Sequence, residues 1–329
     1  MTAPYPVSIL DLATVRHGQP IAESLQESTE LAVLADELGF HRLWFAEHHN
    51  METIASSATA VLLAHMGAHT HNIRLGAGGI MLPNHAPLII AEQFGTLREL
   101  YGDRVDLGLG RAPGTDQKTL MALRRTNQSA DRFPSDVLEL QSYLQGESRI
   151  PGINAYPGSG TNVPLIILGS SHFGAQLAAQ LGLTYSFASH FAPQMLESAA
   201  ALYRSEFSPS NDLAKPYFIA AANVIVAETE DHAQHMWERA KRARIRTMLG
   251  RGRHLSDEEV EQLVHSAPGQ QVLQMLEMTA VGTPDQVREW LDDFAARVSA
   301  DELIITNMAG PLEDRKQALQ LVSDHIIHR

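Results

Sequence analysis

The stretch "IRLGAGGIMLPNHAPLIIAEQFGTLRELYGDRVDLGLG" (residues 73–110) predicts a strand, a helix and a second strand in succession. Residues 73–82 and 104–110 are short, mostly apolar runs, whereas residues 86–102 repeat apolar side chains at helical spacing. Two strands separated by a helical pattern of this length indicate a parallel pair joined by a crossover helix.

The same alternation continues along the chain, and it favours a (β/α)8 barrel in a single domain, 1–329. The predicted strands are 6–12, 42–46, 73–82, 104–110, 163–169, 183–189, 217–227 and 302–306. Segment 249–281 interrupts the alternation, which predicts an insertion before the last strand-helix units. The alternative is an open doubly wound sheet, but "LGLGRAPG" (107–114) has Pro113 in place of the last glycine of the dinucleotide fingerprint.

Composition restricts the class of protein. The chain has 329 residues, 44% of them hydrophobic, with a formal net charge of −13 and no cysteine. The acidic balance argues against nucleic-acid binding, and the missing cysteines exclude disulfides and thiolate zinc sites. We find no apolar run of membrane-spanning length and no signal-peptide pattern, so we expect an enzyme located in the cytoplasm.

In a (β/α)8 barrel the functional residues lie where the strands end. Small, polar or ionisable residues recur at the predicted strand ends, whereas the strand starts carry few of them. The strand-end positions are 11, 47–49, 78–79, 110–111, 169–172, 189–190, 223 and 306–307. Together they predict a mouth that accommodates a large, planar, polar ligand.

The motif Glu47-His48-His49 follows the second predicted strand. Successive side chains of an extended chain point to opposite sides, so the two histidines are not expected to chelate one metal ion, and no metal site is predicted. One interpretation is a hydrogen-bonded surface pair. The other is a general base that works near neutral pH, and the position at a strand end favours it.

Gly76, Gly78 and Gly79 stand close together in the third strand, where glycine contributes no packing. They predict either an unusual backbone that a flat ligand approaches closely or a barrel bend that needs small residues. Arg111 and the turn Gly169-Ser170-Ser171, which leads into a helix, together predict an anion site. The alternative for the serines is an ordinary helix N-cap.

A basic segment, "RAKRARIRTMLGRGR" (239–253), stands out in this acidic chain. It is either a solvated helix face or part of a lid whose cations meet an anionic cofactor or cosubstrate.

The chain resembles the bacterial luciferase-like, flavin-dependent monooxygenases over nearly its whole length. The stretches that carry the resemblance are "SILDLATVRHGQ" (8–19), "LGFHRLWFAEHHN" (38–50), "IRLGAGGIMLPNHAPLIIAEQFGTL" (73–97), "DRVDLGLGRAPGTD" (103–116), "IILGSSHFGAQLAAQLG" (166–182) and "VGTPDQVREWL" (281–291). The family fold is a (β/α)8 barrel with an insertion, in agreement with the pattern of strands.

The resemblance implies roles for individual residues. His48 matches the catalytic base, with His49 and Glu47 beside it, and segment 249–281 matches a mobile loop over the flavin. The positions that match the flavin site are Gly78 and Gly79 (a non-prolyl cis peptide against the ring), Gly110, Arg111, Gly169, Ser170, Ser171, Phe173 and Gly174. Gly110 replaces a cysteine of luciferases, and Gly169 and Phe173 replace a glutamate and a threonine of their phosphate turn.

The implied reaction is the monooxygenation of a small, apolar organic substrate by reduced FMN and O2 through a C4a-peroxyflavin. Two states of the reduced FMN stay open: it is either tightly bound or a transient cosubstrate that a separate flavin reductase supplies. The resemblance implies a homodimer. Two alternatives are a deazaflavin-dependent oxidoreductase that transfers hydride and a non-catalytic flavin-binding protein.

Overall fold

A computed structural model describes residues 4–112, 116–250, 253 and 255–329. Its nine strands are β1 (Val7–Asp11), β2 (Arg42–Phe45), β3 (Arg74–Met81), β4 (Val105–Gly110), β5 (Leu165–Gly169), β6 (Thr184–Phe187), β7 (Phe218–Val226), β8 (Thr279–Gly282) and β9 (Glu302–Asn307). Its helices are α1 (Ile21–Glu37), α2 (Thr59–His69), α3 (Pro87–Tyr101), α4 (Gln117–Ala122), α5 (Phe133–Gln145), α6 (His172–Leu181), α7 (Leu196–Ser205), α8 (Glu230–Leu249), α9 (Asp257–Val264), α10 (Ala267–Gln274), α11 (Pro284–Val298) and α12 (Leu312–Val322).

Eight of the strands close into a parallel barrel, which confirms the predicted (β/α)8 fold. Strands β1 to β7 pair in chain order, and β9 lies between β7 and β1 to complete the ring. The helices between the strands pack their apolar sides onto the outer wall, where a continuous core surrounds the barrel. No helix in the described part of the chain is both long and apolar enough to cross a membrane.

Strand β8 lies at the end of segment 249–281, which the sequence pattern treats as an interruption. It pairs with the second half of β7, at Asn223–Val226, whereas β6 pairs with the first half of β7. A strand of only four residues is too short to show a clear period of two, so the sequence did not reveal it. Helices α9 and α10 fill most of the segment, and residues 251, 252 and 254 lie outside the described part.

The starts of the strands carry an ionic network, so the expectation that they hold few polar residues is wrong. Arg42 donates to Glu302 at 2.8 Å and to Asp106 at 2.7 Å, and Arg74 also pairs with Asp106. Tyr217 donates to the second oxygen of Glu302 at 2.8 Å. Both carboxylates are completely buried, so this network closes the end of the barrel opposite the mouth.

Apolar side chains fill the barrel interior above this network, and Trp44 is the largest of them. A Cβ atom on Gly76 would lie 2.6 Å from the indole nitrogen of Trp44, and one on Gly78 would lie 2.9 Å from its ring. A Cβ atom on Gly79 would lie 2.7 Å from the carbonyl oxygen of Gly108. Close packing is therefore one reason for the glycines of β3.

Replacement of the central arginine should destabilise the barrel strongly. In Arg42→Met, Glu302 and Asp106 lose a buried partner, and we expect a loss of about 3–5 kcal/mol in the free energy of unfolding. Urea unfolding followed by circular dichroism measures the loss. Arg288→Met removes an exposed i,i+3 pair with Asp285 and should cost less than about 1 kcal/mol. Equal losses in the two variants would contradict the role of the network.

Candidate active site

The Glu47 carboxylate is the centre of a hydrogen-bond cluster just beyond the end of β2. It is 1% exposed, and its Oε1 lies 2.6 Å from Nε2 of His49 and 2.8 Å from Nε2 of His85. The backbone N–H of Met81, at the end of β3, donates to Oε2 at 2.9 Å. Three donors thus satisfy one buried carboxylate and link the ends of two neighbouring strands.

These contacts determine the protonation of the cluster. Burial by itself would raise the pKa of Glu47, but the hydrogen bonds from His49, His85 and Met81 outweigh it and lower the pKa to about 2. The hydrogen bond to Glu47 raises the pKa of His49 above its ordinary value, against the opposing effect of burial. The carboxylate is therefore ionised at neutral pH and favours a charged His49.

Glu47, His49 and His85 place three metal-ligand atoms within 4.8 Å of one another. The sequence pattern predicted no metal site, because His48 and His49 point to opposite sides and no second cluster has ligand spacing. His85, 38 positions from Glu47, joins the cluster only in the fold. The carboxylate already accepts hydrogen bonds from both rings and from a backbone N–H, so the geometry is explained without a metal ion.

His48 faces away from this cluster, as the alternation of an extended chain predicts. Its backbone N–H donates to the carbonyl of Ser56 at 3.0 Å, while its side-chain Nδ1 is buried and has no hydrogen-bond partner in the described structure. Burial is the largest influence and lowers the pKa of His48 below its ordinary value, despite the nearby Glu47. His48 is therefore neutral at pH 7 and has a ring nitrogen free to interact with a ligand.

A second histidine of this kind, His190, follows β6. Its Nδ1 is also buried without a partner among the described residues, and its carbonyl accepts a hydrogen bond from the Asn223 side chain at 2.7 Å. Burial first, and then repulsion from Arg244 and from the protonated form of His48, lower the pKa of His190 to about 3. Asn223, which lies in β7, also contacts Thr279 at the start of β8 and Thr306 near the end of β9, so it links these strands to the residues after β6.

The end of β3 forms one wall of the mouth. The peptide bond between Gly78 and Gly79 is cis, the geometry that the resemblance implies. Gly110, at the end of β4, is buried, and a Cβ atom there would lie 3.1 Å from the sulfur of Met81. Because no side chain projects from Gly78, which is half-buried, a flat ring can approach its backbone closely.

The ends of β4 and β5 form the candidate anion site. The Arg111 guanidinium lies over the Phe173 ring, 4.2 Å from its centroid. Ser170 and Ser171 are half-buried at the start of α6, and Ser171 is the N-cap residue but makes no side-chain capping bond. The interpretation as an ordinary serine cap therefore does not account for these hydroxyls. A helix N-terminus, two hydroxyls and a held arginine together suit a phosphate.

A family model for luciferase-like monooxygenases matches residues 6–301. The chain belongs to this family. It is 43% identical over 320 residues to the luciferase-like monooxygenase of Escherichia coli (strain K12), with 96% of each chain covered. It is 30% identical to the N-acetyl-S-alkylcysteine monooxygenase of Bacillus subtilis (strain 168), with 98% of each covered. Membership of this family makes the protein an oxidoreductase.

Solved structures agree with this assignment. The apo-MsnO8 structure is 35% identical and superposes with a TM-score of 0.87 over 98% of this chain and 97% of that one. Two more distant structures share the fold. One is the oxygenating constituent of 3,6-diketocamphane monooxygenase from Pseudomonas putida, in complex with FMN, at 16% identity, a TM-score of 0.73 and 98% coverage of both chains. The other is the coenzyme F420-dependent tetrahydromethanopterin reductase of Methanopyrus kandleri, at 17% identity and a TM-score of 0.69, with coverage of 98% of this chain and 99% of that one.

The residues of this luciferase-like monooxygenase fit a flavin-type cofactor. The half-buried backbone at Gly78 suits a flat ring, and the hydroxyls of Ser170 and Ser171, which have no hydrogen-bond partner among the described residues, suit a phosphate. A cavity of about 660 Å³ lies elsewhere, between α8, α9 and the loop after β1, and includes none of the predicted site residues.

Sequence reasoning overlooked three residues of the mouth. His85 lies 38 positions from its partner Glu47, so only the fold brings them together. His190 stands at a strand end and carries the same positional signal as His48, but it was not included among the predicted site residues. Arg244 belongs to the basic segment 239–253, and nothing in the sequence of that segment distinguishes it from the other arginines.

Removal of the Glu47 charge should lower the pKa of His49. In Glu47→Gln we expect that pKa to fall towards 6.5, because the carboxylate that stabilises the imidazolium is gone. NMR titration of the histidine Cε1 protons measures the change, and the exposed Glu289→Gln is the control.

The Glu47→Gln variant also allows a test of stability, because the direction in which the free energy of unfolding changes with pH can be predicted. A raised histidine pKa stabilises the folded state below the unfolded-state pKa, and the effect is lost as the pH rises through the folded-state pKa. The wild type and Glu47→Gln differ in their free energy of unfolding, and the contribution of His49 to this difference should therefore be larger at about pH 6 than at about pH 8. An unchanged His49 pKa in Glu47→Gln would contradict the assignment.

Proposed function

We propose that this enzyme is a flavin-dependent monooxygenase that uses reduced FMN and O2 to oxidise a small organic substrate. The observation that carries the proposal is the neutral His48, whose buried Nδ1 has no partner among the described residues and which stands at the mouth near the wall formed by Gly78 and Gly79. A proton acceptor beside a surface that suits a flat ring supports the proposal.

Specific residues would hold the cofactor. The ring would lie against Gly78, Gly79 and Gly110, and the phosphate would bind Arg111, Ser170, Ser171 and the first N–H groups of α6, with Gly169 and Gly174 allowing close approach. Phe173 holds the Arg111 guanidinium in place by a cation–π contact. Reduced FMN supplies the two electrons that activate O2, so that one oxygen atom enters the substrate and the other leaves as water.

The protein contributes a proton acceptor and a fixed geometry. His48 accepts a proton at Nδ1 during the reaction, and its low pKa keeps it in the accepting form at neutral pH. Glu47 and His49 act as positioning residues, since the carboxylate is fully engaged by three donors. By holding the N–H of Met81, Glu47 supports the strand end that includes Gly78 and Gly79.

An anaerobic titration tests the cofactor. The purified protein is titrated with reduced FMN and, in parallel, with a reduced deazaflavin, while tryptophan fluorescence reports binding. We expect the protein to bind reduced FMN in preference and, after air is admitted, to consume O2 differently from free flavin. A preference for the deazaflavin would assign the protein to hydride transfer, and binding of neither would refute the proposed site.

The phosphate contacts have their own test in the same assay. Arg111→Ala should weaken FMN binding by about 10- to 100-fold, because it removes a charge-assisted contact, and should leave riboflavin binding unchanged. Arg288→Ala, a change at a half-buried arginine of α11 that pairs with Asp285, is the matched control. Equal losses for FMN and riboflavin would show that Arg111 does not contact the phosphate.

Turnover of the first substrate found tests His48. We expect His48→Asn to bind reduced FMN normally and to lose about 10²- to 10⁴-fold in kcat, the range typical of a lost general base. Because the pKa of His48 lies below 6.5, wild-type activity should be full above that pH and fall in acid. A variant with normal kcat, or a profile without an acidic limb, would exclude the role. The exposed His65→Asn is the control.

The remaining predictions concern partners. We propose a separate flavin reductase as the source of reduced FMN and a homodimer as the working form, both on the basis of family resemblance. Val61 and Leu100 expose apolar side chains on the neighbouring helices α2 and α3, which supports an interface there.

A further inference from the structure

Most basic side chains of α8 are neutralised by acidic neighbours. Lys241 lies 2.6 Å from Glu238, Arg242 lies 3.0 Å from Glu261 of α9, and Arg246 pairs with Asp257. The pairs of Arg242 and Arg246 join α8 to α9, whereas the pair of Lys241 lies within α8. These three side chains are half-buried and paired, so they do not form the solvated helix face that was one interpretation of the basic segment.

Arg244 differs from these neighbours. Its side chain is half-buried, and it has no hydrogen-bond or ion-pair partner among the residues that the structure describes. Burial lowers its pKa, and no nearby carboxylate offsets that effect. An arginine nevertheless stays protonated in a protein, so a partly desolvated positive charge lies here without a counter-ion.

The helical period shows which way Arg244 faces. Ala233, Trp237 and Ala240 precede it at spacings of four and three residues, so all four share one side of α8. Ala233, Trp237 and Ala240 pack with Ile225 at the end of β7, in the cluster that covers this edge of the barrel mouth. Arg244 continues the same side of the helix by one further turn.

Two half-buried histidines at the ends of opposite strands are available to contact the same ligand as Arg244. His48 follows β2 and His190 follows β6, and these two strands lie opposite each other in the ring of eight. Each of these histidines has a buried Nδ1 without a partner among the described residues. Arg244 and His48 are both near enough to His190 to influence its pKa, and Arg244 lies on the side of α8 that packs against the end of β7, so the three side chains border one region.

We propose that Arg244 binds an anionic group of the organic substrate, most simply a carboxylate, and thereby holds the rest of the substrate between His190 and His48. A guanidinium binds a carboxylate through two parallel hydrogen bonds, which fixes orientation as well as adding affinity. The proposal rests on the function proposed above and narrows its substrate class to organic acids with an apolar body.

The cofactor phosphate is a less suitable partner for Arg244. The candidate phosphate site at the ends of β4 and β5 already has Arg111, two serine hydroxyls and the start of α6. Arg244 comes instead from α8, beyond β7, on the side of the mouth that carries His190. Arg111 therefore binds the cofactor phosphate, and Arg244 binds the anionic group of the substrate.

Matched acids and amides test the proposal on the FMN-loaded protein. The probes are hexanoate with hexanamide and 4-phenylbutanoate with 4-phenylbutanamide, and isothermal titration calorimetry measures their affinities. In the wild type each acid should bind at least about tenfold more tightly than its amide, as expected for a charge-assisted contact. In Arg244→Gln the ratio should approach one, and Arg244→Lys should keep part of it.

The controls separate this proposal from the function on which it rests. Arg242→Gln, a change on the opposite side of the same helix, should leave the acid-to-amide ratio unchanged. Arg244→Gln should bind FMN as the wild type does, and its Tm should not fall, because no internal partner is lost. An acid-to-amide ratio near one in the wild type, or no binding of either acid, would overturn the proposal. Weaker FMN binding with an unchanged ratio would show instead that Arg244 contacts the flavin. Failure of the wild type to bind FMN would refute the proposed function itself.

Discussion

The buried ion pairs at the closed end of the barrel constrain the rest of the structure. Arg42 reaches Asp106 across β3 and Glu302 across β1, so one side chain links strands that are not adjacent. Unpaired, these charges would be very costly inside the protein, and pairing requires every strand in the set to keep its register. A slip of one residue would turn the charged side chains outward and the apolar ones away from the interior. The register in turn sets the height at which each strand ends at the mouth.

Trp44 connects this interior with the wall of the active site. It lies two residues beyond Arg42 and fills the space inside β3, where Gly76 and Gly78 leave room for it. Gly78, which is half-buried, is also one of the residues against which the proposed flavin ring rests. The two explanations considered for the glycines, packing and close approach of a ligand, are therefore compatible at Gly78, whereas packing against Trp44 accounts for Gly76.

The two adjacent histidines of Glu47-His48-His49 have different chemical roles because successive side chains of an extended chain point to opposite sides. His49 turns towards the buried Glu47, which raises its pKa, while His48 turns towards the mouth, where burial lowers its pKa. The result is a fixed internal charge on one side and a neutral proton acceptor on the other. At the mouth, His190 adds a second neutral ring and Arg244 adds a positive charge. The region between His48, His190 and Arg244 therefore favours a ligand with a negative group.

The sequence by itself determined the alternation of strands and helices, the eight strands of the barrel and the family. It did so because the periods of apolar residues and the glycines at element ends are local properties. It also located Glu47, His48, Gly78 and Arg111 at strand ends. Only the tertiary structure decided which of these side chains meet: His85 joins Glu47 from another strand end, and Arg74 and Arg42 share Asp106 inside the barrel. It also distinguished Arg244 from the paired arginines beside it, since a counter-ion depends on which helix packs against which face. Hydrogen bonds and burial arise between residues remote in the chain, and local sequence carries no record of those distances.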